Sequence, residues 1–221
     1  MNLLISNIMK QTNLSVVQTI RDGIVIGLKN LPSLVVAAVL YVLTIWIPYI
    51  NVGTTIAMNS LPGRLAKGDV ISPLFIFDEK YRRDFSAYFL LCGFVYMVTI
   101  VGLFFVIIPG IIIAISMSLA VYILVDFDKS PTDAMKLSNQ ATYGHKWTIF
   151  FIGLVLYIVI VIGFSILSWI GGLMGDFMKN LFIIAGIICV LPFTLGVNAV
   201  IYKTLYLDTL VEDPIEAVDE Q

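Results

Sequence analysis

The chain has 221 residues, 59% hydrophobic and 13% charged, with a formal net charge of −2 and a mean hydropathy of +0.98. Soluble domains run about 45–50% apolar and 25% charged, so the composition argues against a soluble enzyme. It predicts an all-α, polytopic membrane bundle surrounded by a lipid bilayer. The basic residues form no aromatic-interleaved patch, which argues against nucleic acid as a partner.

From Leu14 to Lys29 the apolar residues Val17, Ile20, Ile24 and Leu28 recur at helical spacing, with Gln18, Arg21 and Asp22 on another face. Residues 1–29 therefore read as an N-terminal amphipathic segment containing an interfacial helix. The opening MNLLISNIMKQ lacks a basic start, an unbroken apolar core and a cleavage site, so no removed signal peptide is expected.

Residues 30–210 read as a six-helix transmembrane domain in three hairpins, with short inner-loop helices. The uncharged run Asn30 to Gly63 holds 34 residues, roughly 50 Å as one helix, against a hydrocarbon core of about 30 Å. Pro48 divides it into an outgoing helix ending near Trp46 and a return from Asn51 to Leu65; one long tilted helix is the competing reading. Phe85 to Val125 poses the same problem, because 41 uncharged residues would extend roughly 60 Å. Its reversal is expected at Pro109-Gly110, with Phe85 to Ile108 going out and Gly110 to Val125 coming back. Trp147 to Gly175 and Leu181 to Tyr202 make the third hairpin, and Pro192 should kink its second helix. Residues 211–221 read as an acidic, flexible tail.

Positive residues stay on the cytoplasmic side of short loops. Three hairpins place twelve of the thirteen Lys and Arg residues inside, leaving Lys179 outside. Both termini are then cytoplasmic. A single crossing at Asn30 to Gly63 would instead move the basic residues between Arg64 and Arg83 to the other side. Cys92 and Cys189 fall in apolar helices and imply no disulfide framework.

A weak repeat relates the first two hairpins. The fifth and ninth residues on from Pro48 are Gly53 and Ala57, and from Pro109 they are Ala114 and Ser118. Small residues four apart let helices approach closely in lipid, so these four are expected at helix contacts. Duplication and coincidence both account for the spacing.

In DFDKSPTDAMKLSNQATYGHKW, Ser130 is placed to cap a helix, with Pro131 at its first position and Asp133 complementing its dipole. Ser130, Asp133, His145 and Lys146 form a potential inner-loop contact surface. The pattern IPGIIIAISMSLAVYILVD followed by KSPTDAMKLSNQATYGHKW resembles uncharacterised bacterial six-helix inner-membrane proteins related to the membrane domain of certain glycerophosphodiester phosphodiesterases. The match covers about Ile107 to Phe151. The resemblance implies a helical membrane module without an established activity; the phosphodiesterase barrel and its catalytic residues have no counterpart.

His145 is the only histidine, and no carboxylate pair, zinc motif or phosphate-cradling loop is legible. No catalytic residue, cofactor or metal is expected. Asn51, Asn59 and Asn198 are the amides expected at membrane depth, as interhelical hydrogen-bonding groups or as a substrate path. The expected function is noncatalytic, through contacts with a membrane protein partner or a homo-oligomer. Permeation or transport of a lipid or small apolar molecule is the alternative.

Overall fold

A computed structural model describes residues 14–83, 85–105 and 107–212. The first thirteen residues of the amphipathic segment and the acidic tail beyond Glu212 lie outside the described residues. Every regular element among those described is helical. Four stretches are long and apolar enough to cross a membrane: Phe85–Phe104, Ile107–Phe127, Lys146–Leu173 and Asp176–Leu210.

Helix α1 (Val16–Lys29) and helix α2 (Leu31–Thr44) form a pair bent by 74°. The bend has a local cause. Asn30 has left the helical region at φ −103°, ψ 5°, and Pro32 brings no backbone N–H to the first turn of α2. The apolar residues Val17, Ile24 and Leu28 of α1 face outward, while Thr19, Gly23 and Gly27 are buried. That small face packs against helix α10 (Asp176–Tyr202). A methyl group on Gly27 would stand 2.6 Å from the Pro192 carbonyl oxygen, and one on Gly196 would collide with the Gly23 carbonyl. The close helix contact therefore lies between Gly23-xxx-Gly27 and Gly196, a pair of elements for which sequence reasoning proposed no packing.

Helix α3 (Pro48–Ala66) begins at the proline expected to mark a turn and continues through Pro62-Gly63. Pro48 occupies the first helical position, where a missing N–H costs no intrahelical bond. Neither helix of the expected pair is among the four stretches long and apolar enough to cross by itself. Helix α2 has 14 residues, roughly 21 Å of rise, and α3 is a core element whose Ile56, Ala57, Leu61 and Leu65 are fully or almost fully buried. A 3-10 turn (Pro73–Phe77) and the short helix α4 (Glu79–Arg83) fold back over α3.

Helices α5 (Phe85–Phe105) and α6 (Ile107–Ser116) pack as a hairpin. The reversal precedes the predicted Pro109-Gly110. Pro109 lies in the first turn of α6, where N–H groups have no intrahelical acceptor, and Gly110 lets that turn settle on Leu103. A methyl on Gly110 would be 2.7 Å from the Leu103 backbone nitrogen. Helix α7 (Ala120–Phe127) continues the second span, helix α8 (Pro131–Ala141) lies beneath it, and helix α9 (Lys146–Leu173) runs back. The turn from α9 into α10 is short: Gly175 takes φ +105° and Lys179 already lies in the helix, its backbone against Gly171. Helix α10 passes through Pro192 unbroken to Tyr202, followed by an i→i+5 turn (Lys203–Leu207) and helix α11 (Asp208–Glu212).

Burial is concentrated at one end. The C-terminal half of α10 is enclosed by α1, α2 and α3, whereas only 6% of the residues in the most apolar stretch of α5 and 11% of those in that of α9 are buried.

Candidate functional site: a buried polar lock

The enclosed end holds a charge. The side chain of Asp126, near the end of α7, is 8% exposed and its Oδ1 lies 3.1 Å from Lys67 Nζ, just beyond α3. Tyr202 donates its hydroxyl to Asp126 Oδ2 at 3.1 Å. Gly63 makes room for the carboxylate, since a methyl there would come within 2.8 Å of Oδ2. An aromatic wall surrounds the pair: Tyr122 meets Tyr202 edge-on at 5.3 Å, Tyr202 stacks on Tyr206 at 5.7 Å, and Phe127 meets Tyr206 edge-on at 5.5 Å. Lys67 Nζ also sits 5.7 Å above the Phe127 ring, a cation–π contact that favours the ammonium at the mouth of the cluster.

Three distant parts of the chain meet here, and each brings what a buried charge requires. The carboxylate has a cation and a hydroxyl donor; the cation keeps access to water, with 39% of its side chain exposed. The arrangement ties α3, α7 and α10 together. It contains no nucleophile beside a base, and Asp126 is already engaged on both oxygens. Among the described residues no cluster of His, Cys, Asp or Glu could hold a metal ion. The return helix expected to end at Val125 runs on to Phe127, so Asp126 lies in the last turn of the apolar stretch Ile107–Phe127.

A second polar joint repairs the break between α6 and α7. The Ser138 hydroxyl, on α8 and fully buried, donates to the Ser116 carbonyl at 2.7 Å and accepts the Leu119 N–H at 3.1 Å. One side chain thus satisfies both backbone groups freed by the interruption. Helix α8 is attached to the broken helix pair α6–α7 through this contact.

The residues singled out from sequence are dispersed. Asn59 Nδ2 donates to the Tyr88 hydroxyl at 2.6 Å, linking α3 to α5. Asn51 donates to the Ile45 carbonyl at 2.9 Å and accepts from Thr55 at 2.8 Å, which stabilises the turn into α3. Asn198 is exposed and donates to Thr194 of its own helix. The three amides hydrogen-bond to separate partners. Ala57 is buried in the core and Gly53 lies against the stem of Arg82, but Ala114 and Ser118 are exposed, with the Ser118 hydroxyl turned to the Ile115 carbonyl. Within this chain the latter pair has no close helix contact of the expected kind.

Ser130 caps α8, accepting the Asp133 N–H at 3.2 Å and donating to the Asp133 carboxylate at 2.6 Å. Lys146 donates to Asn139 Oδ1 at 3.1 Å. Burial lowers the pKa of His145. In the loop covering α3, burial raises the pKa of the Tyr81 phenol against the opposing influence of Arg64.

Comparison with known proteins places no relative beside this chain: no family model, curated protein or solved structure matches it. Lys67, Asp126 and Tyr202 escaped sequence reasoning because they are far apart in the chain. The Tyr202-xxx-Tyr206 spacing was the available local sign, and it names no partner.

Proposed function

We propose that this is a noncatalytic integral membrane protein of the bacterial inner membrane, working through contacts with another membrane component, either a protein partner or further copies of itself. The observation that carries this reading is the uneven burial. One end of the bundle is closed around the Asp126 lock, while most residues of α5 are exposed. A span held chiefly by one neighbouring helix offers a broad surface on which another helix can pack. The proposed resemblance to phosphodiesterase-linked membrane modules rests on the Ile107 to Phe151 pattern alone.

We place both termini in the cytoplasm, with four crossings and a bent α1–α2 pair that enters and leaves on one side. This modifies the six-span reading while keeping the basic loop from Arg64 to Arg83 on the inner side, since a re-entrant pair returns the chain to the side it entered from. Purification in mild detergent, with crosslinking beforehand in intact membranes, tests the functional reading. A stoichiometric partner or a defined homo-oligomer supports it. A monomer without crosslinked species, which alone carries lipid or solute flux in proteoliposomes, replaces it with the permeation alternative.

A further inference from the structure

A groove of about 280 Å³ opens between α6 and the beginning of α9. Its apolar floor is a helical stripe of Ile108, Ile111, Ile112 and Ile115, faced by Phe150. At its rim stand Tyr143, Lys146 and Trp147. Tyr143 and Trp147 are largely exposed. We propose that this groove binds one anionic phospholipid, with an acyl chain along the isoleucines and its phosphate at Lys146. This inference is independent of the partner reading above.

Three features select that occupant. The stripe from Ile108 to Ile115 rises about 10 Å, long enough for a stretch of alkyl chain. A second helix, about 10–12 Å across with its side chains, is too wide for this volume. The rim combines an ammonium, a phenolic O–H and an indole N–H, the donor set found where aromatic and basic side chains meet lipid headgroups. Finally, Lys146 is oriented by a neutral amide, Asn139, which positions the ammonium without neutralising it. The larger depression along α9 and α10, about 530 Å³ and lined by Ile160, Phe164 and Trp169 among others, is open and has no charged residue in its lining. It lacks the means to select a headgroup.

Trp147 supplies the probe. The protein carrying Trp46→Phe and Trp169→Phe retains it as the only tryptophan, and can be reconstituted in phosphatidylcholine vesicles containing brominated phosphatidylglycerol or brominated phosphatidylcholine. Expected is about fivefold tighter quenching by the anionic lipid, the fold-change that one basic residue provides near an anionic surface. In Lys146→Gln the two lipids should quench alike. Equal quenching in the parent, or a preference that survives Lys146→Gln, overturns the proposal. If the tryptophan variants do not fold, native mass spectrometry of the unmodified chain decides: a retained phosphatidylglycerol lost in Lys146→Gln supports the site, and no preference over phosphatidylcholine overturns it.

Discussion

Lys67 Nζ stands 3.1 Å from Asp126 Oδ1, yet the two partners differ in solvent access, with side chains 39% and 8% exposed. Removing the lysine therefore leaves a buried carboxylate with Tyr202 as its remaining donor, whereas removing the charge on both sides leaves none. Breaking a fully buried pair costs about 3–5 kcal/mol; access of water to Lys67 reduces the expected cost of Lys67→Met to about 1–3 kcal/mol. The Lys67→Met/Asp126→Asn double variant should recover much of that loss. Thermal unfolding of the four proteins in one detergent gives the cycle, and additive effects of the two substitutions would show that the pair is uncoupled.

The joint between α8 and the broken span allows a sharper test. Ser138→Ala preserves the size of the side chain but abandons the Ser116 carbonyl and the Leu119 N–H in a site with no exposed surface. The expected loss is about 1–3 kcal/mol, the cost of leaving buried polar groups unsatisfied. Ser118→Ala is the control, because that exposed hydroxyl returns to its own helix. Comparable stability of both variants would mean that water or a shifted backbone replaces the Ser138 bridge.

Composition and hydrophobic run length were enough to read an all-helical chain with several potential spans, and Ser130 with Pro131 marked the start of α8 correctly. Proline marked each helix break to within a few residues, but it stands after the break and not at its centre. At both Pro48 and Pro109 the residue opens the following helix, because the first turn has no use for the N–H that proline lacks. The small-residue pattern was sought at equal offsets from those prolines, while the tight contact uses Gly23, Gly27 and Gly196. Gly23-xxx-Gly27 is visible in the sequence, but its partner lies about 170 residues away on another helix. The Asp126 lock was hidden for the same reason: burial of a boundary charge depends on which distant helices enclose it.

The glycine contact predicts a difference between substitutions of the same chemistry. Gly196→Ala should cost about 1–3 kcal/mol, as expected for overpacking against a backbone that cannot yield, since the added methyl meets the Gly23 carbonyl. Gly163→Ala on α9 meets no atom within 4 Å and should be neutral or slightly stabilising, because alanine is the better helix former by about 1 kcal/mol. Ala114→Leu, on an exposed position, should also be tolerated by the isolated chain. Equal melting temperatures for Gly196→Ala and Gly163→Ala would remove α1 from its place against α10.

The side on which Tyr49 lies separates the four-span from the six-span arrangement. Charge counting cannot do this, because both arrangements keep the five basic residues from Arg64 to Arg83 on one side. The physical clue is local: the Arg82 guanidinium lies 5.8 Å above the Tyr49 ring, and the Arg82 stem covers Gly53. A loop carrying Lys80, Arg82 and Arg83 thus reaches the first two turns of α3, which predicts Tyr49 on the same side of the membrane as that loop. In a background without Cys92 and Cys189, Tyr49→Cys and Lys67→Cys should resist an impermeant maleimide added to intact cells and react in inside-out vesicles. Phe177→Cys, at the exposed start of α10, should do the reverse. Labelling of position 49 from outside, with position 67 protected, would restore two full crossings between residues 30 and 66; outside labelling of position 67 would overturn both arrangements.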